Sequence, residues 1–227
     1  MSTSDGDLTI HQFGNEREPV VQIDNFSGIA DELEAAGRQA EYGPAGGMYP
    51  GIRARCDPAY LDRRRPLIVQ VMGHVFGFRQ NIRCDASTYS IVTLGAADLA
   101  PMQRVPHYDE ADEQVVAIMH YLQGPQSGGT AFYRHRRTGF ETITPQREAA
   151  FAAALAEDVR EFGEPEPGYY HGSGKRYEMI GEIEARPDRL IIYRGRMLHS
   201  GVIPDPAALS ADPANGRLTI NMFMLGS

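Results

Sequence analysis

Residues 106–109, with the sequence PHYD, bring a nitrogen ligand and an oxygen ligand together within a very short stretch of the chain. Side chains alternate along an extended segment, so residues two apart point to the same side. We therefore expect His107 and Asp109 to project together. A third ligand must come from elsewhere in the fold, and His199, which follows the apolar segment 190–193, is the candidate.

Two histidines and one carboxylate on one face of an iron ion leave coordination positions open, which is the arrangement that non-haem Fe(II) oxygenases use. An HxD motif by itself is weak evidence in a chain with seven histidines. The prediction gains strength because further features follow the motif in a fixed order. We assign no ligand role to four other histidines, although one on a β segment, His120, could line the site or lie outside it: His74, His120, His135 and His171.

The region from about residue 87 to residue 224 resembles the 2-oxoglutarate/Fe(II)-dependent oxygenases, in particular the prolyl-hydroxylase-like branch. That family shows HxD, a strand, a Gly-Gly-Thr stretch, a distal histidine, and then a basic residue on the last core strand. This chain has the same features in the same order, namely His107-x-Asp109, the segment 115–122, Gly128-Gly129-Thr130, His199 and Arg217. The resemblance implies Fe(II) as the metal, 2-oxoglutarate and O2 as cosubstrates, and His107, Asp109 and His199 as the ligands and catalytic centre.

The resemblance also implies how 2-oxoglutarate is held. Arg217 would pair with its distal carboxylate, since a guanidinium fork matches a carboxylate with two charge-assisted hydrogen bonds. A tyrosine contact is common in relatives, and Tyr121 is the best candidate, with Tyr89 and Thr93 as alternatives and plain core packing as an equal interpretation of Tyr121. The spacing from His199 to Arg217 is longer than usual, which predicts an inserted loop over residues 205–215.

The carboxylate at Asp109 favours hydroxylation or a related oxidation, because the halogenases of this family have a small residue in its place. Two other functions remain open at this point. One is a non-catalytic jelly-roll protein that binds a metal or ligand. The other is a zinc-dependent hydrolase that uses the same three ligands with a water. A hydrolase needs a base near the metal, and Glu110 would point away from it on an extended strand.

The pattern of apolar segments and turns predicts a mainly β fold with flanking helices. The resemblance implies that its core is a double-stranded β-helix (jelly roll). We predict one domain over 1–227, with a helical N-terminal part over about 1–86 and a β core over about 87–227. Short apolar runs separated by Gly, Pro, Asp and Asn are typical of such cores. The predicted strands are 19–23, 88–94, 115–122, 130–133, 177–184, 190–193, 199–203 and 218–224.

Helices are predicted at three places. Ser27 is an expected N-cap for the first, which ends before Gly43-Pro44, and the second covers about 66–76. Thr144 is an expected N-cap for the third, which continues to about residue 162. Two segments rich in Gly and Pro are predicted loops, 44–57 and a long functional loop, 163–175.

Composition limits the partners. The chain has 227 residues and a net charge of -8, which argues against a nucleic-acid binder. No apolar run suits a membrane span, the N-terminus has no secretory pattern, and the two cysteines form no CxxC, so we expect a cytoplasmic protein. The basic cluster 134–137 is either a solvated turn or a rim that attracts an acidic substrate. The substrate is a small molecule or a peptide or amino acid; its identity and the oligomeric state are left open.

Overall fold

Two antiparallel sheets dominate the structure, a computed structural model that describes residues 8–227. Eleven strands are found within those residues. They are β1 (Leu8–Gln12), β2 (Pro19–Ile23), β3 (Gly43–Pro44), β4 (Gly51–Arg55), β5 (Arg83–Val92), β6 (Val115–Tyr121), β7 (Gly129–His135), β8 (Tyr177–Glu184), β9 (Arg189–Arg194), β10 (His199–Val202) and β11 (Arg217–Leu225).

The large sheet has the strand order β1-β2-β9-β6-β11-β5-β4-β3, and the small sheet has the order β10-β7-β8. Apolar residues of β2, β6 and β9 pack against apolar residues of β7 and β8, so the two sheets face each other across a shared core. This arrangement confirms the predicted mainly β fold with a jelly-roll core.

Alternation along each central strand separates two apolar layers. In β9, Ile191 and Tyr193 point between the sheets, whereas Leu190 and Ile192 point to the outer face of the large sheet. All four side chains are buried. Because both faces of this strand are covered, it reads as a continuous apolar run rather than an alternating one.

Three α-helices cover the outer faces. They are α1 (Ala30–Arg38), α2 (Arg65–His74) and α3 (Glu148–Phe162), and a 3-10 helix (Pro58–Arg64) leads into α2. Leu33 of α1 and Val71 of α2 belong to the core on the outer face of the large sheet. Phe151 of α3 packs with residues of β7 and β10, so this helix covers the small sheet.

The predicted N-terminal part is less helical than expected. Residues 51–55, predicted as loop, form β4 and pair with β5, and residues 8–12 form β1. The large sheet therefore crosses the division that we predicted at about residue 86. Ile52 and Ala54 do alternate with polar residues, as expected for a strand. The strand was missed because it is only five residues long and lies among Gly, Pro and Arg.

Two predicted helix caps were wrong. The helix predicted from Ser27 begins at Ala30, and the Ser27 hydroxyl donates to the Asp188 carboxylate at 2.6 Å. The helix predicted from Thr144 begins at Glu148, because residues 145–147 first form a turn in which the Thr144 carbonyl accepts from the Arg147 N–H at 2.8 Å. The Ser27 hydroxyl also accepts from the Ile29 N–H at 3.1 Å, and the Thr144 carbonyl also accepts from the Glu148 N–H at 3.2 Å. Each residue therefore contacts the start of its helix, but neither is the N-cap residue.

The strand predictions for the core were confirmed within a few residues at each end. For example, 177–184 is β8 with the predicted bounds, and 115–122 is β6 without its last residue. No helix in the described part of the chain has the length and apolar character needed to cross a membrane.

Candidate metal centre

The structure brings His107, Asp109 and His199 together, with one ligand atom of each lying within 4.8 Å of the others. The Nε2 atom of His107 lies 3.9 Å from Oδ1 of Asp109, and the Nε2 atom of His199 lies 3.5 Å from Oδ2 of the same carboxylate. The centroids of the two imidazole rings are 4.5 Å apart. Two imidazole nitrogens and one carboxylate oxygen at this spacing fit one divalent transition-metal ion.

Backbone pairing places the first two ligands beside the third. His107 and His199 form an antiparallel bridge in which each N–H donates to the other residue's carbonyl, at 2.9 and 2.8 Å. The Asp109 N–H donates to the Gly195 carbonyl at 2.8 Å. Since β10 is the edge strand of the small sheet, the segment around His107 extends that sheet by one short bridge.

The orientation of the His199 ring is fixed by a second hydrogen bond. Its Nδ1 lies 2.8 Å from the carbonyl oxygen of Met197. A ring that donates from Nδ1 presents Nε2 as the free ligand nitrogen. Tyr193 packs against the same ring with the two centroids 4.9 Å apart, which further limits its rotation.

The protein environment favours uncharged imidazoles at this site. Burial lowers the pKa of His107 to about 4, and the neighbouring His199 lowers it further against the opposing effect of Asp109. Burial also lowers the pKa of His199 to about 4. Burial raises the pKa of Asp109, against the lowering effects of His107 and the Arg53 guanidinium. Neutral imidazole is the form that binds a metal.

The three candidate ligand residues line a cavity of about 790 Å³. The cavity opens onto His107, whose side chain is 48% exposed, whereas His199 is buried. Its wall is largely apolar or aromatic, with a few charged groups near the metal ligands. A cavity of this size and character is typical of sites for small molecules. Residues that contribute to the wall include Met48, Tyr49, Arg53, Met102, Thr130, Phe151, Leu155, Tyr169, Ile203 and Arg217.

Arg217 lies in this cavity, at the start of β11, as the resemblance implied. Its Nε donates to the Ser127 carbonyl, and one terminal nitrogen contacts the Gly129 carbonyl at 3.4 Å. These bonds hold the guanidinium over the start of β7. The remaining donors are available to a ligand carboxylate.

Tyr121 is fully buried in the core between the sheets, and the cavity wall does not include it. Its hydroxyl lies 2.6 Å from the hydroxyl of Thr130, which does line the cavity. Burial raises the pKa of Tyr121 to about 12, although Thr130 and Arg217 lower it. The direct cosubstrate contact predicted for Tyr121 stays a prediction, and Thr130 is the neighbouring group that can reach a ligand.

The Gly-Gly-Thr stretch has a structural role that explains its residue types. Gly128 has a φ of +96°, and a Cβ there would collide with the Val202 carbonyl of the adjoining strand. A Cβ at Gly129 would collide with the Ile183 carbonyl of β8. The two glycines thus let the three strands of the small sheet approach, and Thr130 follows on the cavity side.

Sequence reasoning missed Arg53 and Tyr49, which also line the cavity. The Arg53 guanidinium lies over the Tyr49 ring at 4.3 Å from its centroid. Both residues lie in the segment that was predicted as loop. The position of Arg53 on β4 could have been found only by recognising that strand.

The basic cluster 134–137 agrees in part with the predicted solvated turn, since Arg136 and Arg137 are exposed and begin a turn, but it does not form a rim of the cavity. Arg134 pairs with Glu141 at 2.5 Å, and Arg137 pairs with Asp158 at 2.5 Å. The His135 Nε2 lies 2.9 Å from the Asp158 carboxylate. The cluster therefore links β7 to α3 through ion pairs and is absent from the described cavity wall.

Two further expectations need correction or completion. Glu110, expected to point away, lines the cavity, and its carboxylate accepts from the Ala111 N–H at 2.9 Å. His120 lies outside the cavity and is fully buried, between the Tyr60 hydroxyl at 3.1 Å and the Asp188 carboxylate at 3.0 Å.

A family model matches residues 4–224, nearly the whole chain, under the description Family of unknown function (DUF6445). The chain belongs to this family. No curated protein matches the sequence of this DUF6445 protein.

Solved structures with a similar fold add to this. The non-haem α-ketoglutarate-dependent epimerase SnoN from nogalamycin biosynthesis is 13% identical, with a TM-score of 0.54 over 93% of this chain and 77% of SnoN. HygX from Streptomyces hygroscopicus with iron bound is also 13% identical, with a TM-score of 0.52 over 93% of this chain and 84% of HygX. The DUF6445 protein therefore has the double-stranded β-helix fold of the 2-oxoglutarate/Fe(II)-dependent oxygenases.

Proposed function

We propose that this DUF6445 protein is a 2-oxoglutarate- and Fe(II)-dependent dioxygenase that oxidises, and in the simplest case hydroxylates, an organic substrate. The observation that carries the proposal is the placement of His107, Asp109 and His199 within 4.8 Å of one another, in a cavity that also contains Arg217. A site of this kind supplies both the metal ligands and a cation for a dicarboxylate.

The chain's own residues would divide the work as follows. His107, Asp109 and His199 would hold Fe(II) and leave the other side of the ion to the cavity. When bound, the iron would couple the conversion of 2-oxoglutarate and O2 into succinate and CO2 to oxidation of the substrate. Arg217 would orient 2-oxoglutarate through its distal carboxylate, since its fork geometry suits a carboxylate.

Hydroxylation is the expected outcome because Asp109 occupies the third protein ligand position. The similarly folded SnoN is an epimerase, so the fold alone does not determine the product. Succinate formation is common to these outcomes, and it is therefore the appropriate measurement when the substrate is unidentified.

The same three ligands would also serve a zinc hydrolase. That reaction needs a base beside the metal, and Glu110 lines the cavity. Its carboxylate already accepts a backbone N–H, and Arg217 would have no task in such a reaction. A binding protein without turnover would require neither redox metal nor 2-oxoglutarate. The measurement below distinguishes all three functions.

The test is consumption of 2-oxoglutarate and formation of succinate by the purified full chain with Fe(II) and O2. We expect His107→Ala, Asp109→Ala and His199→Ala each to reduce succinate formation at least a hundredfold, because each removes a metal ligand. His171→Ala is the matched control, since that ring pairs with Glu182 and lies outside the cavity wall. Wild-type rates in any ligand variant would contradict the assignment, and Zn(II)-dependent hydrolysis without succinate would favour the hydrolase.

A further inference from the structure

Arg53 is a cation in the cavity without an acidic partner. Among residues 8–227 its side chain makes no hydrogen bond or ion pair, and its Nε atom is shielded from water. Its guanidinium lies over the face of the Tyr49 ring, 4.3 Å from the ring centroid. A buried guanidinium N–H without an acceptor is costly, so this position favours a ligand that brings an anion.

The register of the large sheet shows why Arg53 faces the cavity. Arg53 pairs with Ser90, Ser90 pairs with Thr219, and Thr219 pairs with Tyr121, so the four residues form one row across β4, β5, β11 and β6. Residues that pair directly lie on the same face of a sheet. Tyr121 points between the sheets, and Arg53 therefore points the same way.

A second unsatisfied donor lies beside the first. The hydroxyl of Tyr49 is buried, lines the same cavity region, and completes no hydrogen bond within the described residues, although Ser90 is nearby. Burial raises the pKa of Tyr49 and outweighs the lowering effects of Arg217, Arg53 and Ser90, so the phenol stays neutral and can donate. A guanidinium and a phenol that both need an acceptor form a small anion-binding pair.

The acidic residues of the cavity do not neutralise Arg53. Glu110 accepts from the Ala111 N–H, and Glu148 accepts from the Tyr108 hydroxyl at 3.0 Å. Asp109 is a metal ligand, and it feels the Arg53 charge without pairing with it. The donor groups of Arg53 and Tyr49 can therefore bind an acceptor on a ligand that enters the cavity.

The cosubstrate has another cation available. One carboxylate of 2-oxoglutarate would bind beside the metal, and the other would bind Arg217. Arg217 and Arg53 lie two strands and one row apart, roughly 12 Å between their Cα atoms from ordinary strand spacings. The mouth of the cavity near Arg53 is apolar, with Met48 54% exposed and Met102 51% exposed.

From this arrangement we infer that Arg53 and Tyr49 bind an anionic group of the oxidised substrate, whose apolar body packs against Met48 and Met102. The identification of the anion as part of a substrate rests on the proposed function. Binding of an anion at this site does not depend on turnover. The ligand class is a small organic acid with an apolar body, whether the anion is a carboxylate, a sulfonate or a phosphate.

A pair of dyes with the same aromatic body tests the charge directly. The anionic probe is 8-anilino-1-naphthalenesulfonate, and the uncharged probe is N-phenyl-1-naphthylamine. Both are titrated by fluorescence into the full chain loaded with Ni(II) and 2-oxoglutarate, in which no turnover occurs. We expect Arg53→Gln to lower the affinity for the sulfonate probe about tenfold or more, as for loss of one charge-assisted hydrogen bond. The affinity for the uncharged probe should stay unchanged.

Arg55→Gln is the matched control, because Arg55 lies on the same strand but is exposed and outside the cavity wall. It should leave both probes unchanged. Equal binding of the sulfonate probe to wild type and Arg53→Gln would overturn the inference. So would equal loss of both probes in that variant, or failure of both to bind the wild-type protein.

Binding of 2-oxoglutarate to the Fe(II) protein without O2 separates this inference from the proposed function. Arg53→Gln should bind 2-oxoglutarate within about threefold of wild type, since Arg217 is the cosubstrate cation in our assignment. A loss of 2-oxoglutarate binding in Arg53→Gln would overturn the inference by assigning Arg53 to the cosubstrate. Failure of the wild type to bind 2-oxoglutarate would contradict the proposed function instead, and the two dyes would still report on the anion site with Ni(II) alone.

Discussion

At the scale of single residues, the environment of the candidate metal centre favours the uncharged imidazoles that a metal ion requires. The pKa of His107 and that of His199 are lowered to about 4, chiefly by burial. The unfolded chain takes up protons on these rings below about pH 6.5, and the folded chain does so only near pH 4. The free energy of unfolding of the metal-free protein therefore falls as the pH decreases through this window.

The same shift predicts an unusual pH profile for metal binding. Two histidines with ordinary pKa values would lose about a hundredfold in affinity between pH 7.5 and pH 5.5, through competition with protons. We expect the loss to be about tenfold or less here, because the buried ring of His199 stays neutral. Calorimetric titration with Mn(II) at the two pH values measures this. A hundredfold loss would show that the two rings titrate as ordinary histidines.

Arg217 gives a second prediction at this scale. Arg217→Gln removes the guanidinium that would pair with the distal carboxylate of 2-oxoglutarate, so the concentration of 2-oxoglutarate required for half-maximal succinate formation should rise tenfold or more. Metal affinity should stay within about twofold of wild type, since Arg217 is not a ligand. An unchanged 2-oxoglutarate requirement would assign the cosubstrate to another cation, and melting temperatures of both proteins check the fold.

The residues of this site differ in how far they could be predicted from sequence. His107, Asp109 and His199 follow from ligand chemistry and from the order of motifs in the resemblance. Thr130 was quoted as part of a motif, but its place on the cavity wall depends on the pairing of β7 with its neighbours. Tyr121 was predicted as the cosubstrate contact. In the structure its hydroxyl lies within hydrogen-bond distance of Thr130, which lines the cavity, whereas Tyr121 does not.

At the scale of elements, a buried polar network joins the N-terminal segment to the start of β9. Asp188 accepts from the backbone N–H groups of Ser27 and Gly28, at 2.9 and 2.7 Å, and contacts the His120 ring. Burial by itself raises the pKa of Asp188, but these hydrogen bonds outweigh burial and lower the pKa to about 2. The carboxylate thus substitutes for a helix cap by holding the chain just before α1.

Asp188→Asn should therefore lower the free energy of unfolding at pH 7 by about 2–3 kcal/mol. The depressed pKa gives stability that is fully present above about pH 4 and is lost as the pH falls towards 2, so the variant should also show a weaker acid dependence in this range. Urea unfolding at pH 7 and pH 3 measures both effects. Asp205→Asn, at an exposed turn where one N–H is accepted, is the control, and equal effects of the two changes would contradict the role of the network.

Elements were predicted best where apolar pattern and length agree. The central strands of the core are apolar runs, and each was found where it was predicted, although the strand predicted over 88–94 begins five residues earlier, at Arg83. Strand β4 was missed because glycine, proline and arginine surround a short alternation. The starts of α1 and α3 were predicted a few residues too early. Ser27 is held by Asp188, a tertiary contact that no local pattern contains, and residues 145–147 form a turn before α3 begins.

At the scale of the whole molecule, the fold brings together residues that are far apart in the chain. His199 lies on the edge strand of the small sheet, Arg217 lies on the large sheet, and Arg53 lies on the large sheet two strands away. The cavity wall combines residues of both sheets, among them Thr130 of the small sheet and Arg217 of the large sheet. The candidate ligands could be predicted from the order of motifs in the sequence. The shape of the cavity and the charges that line it could be found only from the folded structure.

The most direct test of the account is spectroscopic and starts without O2. Fe(II) is added to metal-free protein, followed by 2-oxoglutarate, and the visible spectrum is recorded before O2 is admitted and succinate is measured. We predict a weak charge-transfer band that requires both additions, is absent in His199→Ala, and decays with formation of succinate. Tight zinc retention with no band and no succinate in the wild-type protein would contradict the proposal that this chain is a 2-oxoglutarate-dependent dioxygenase.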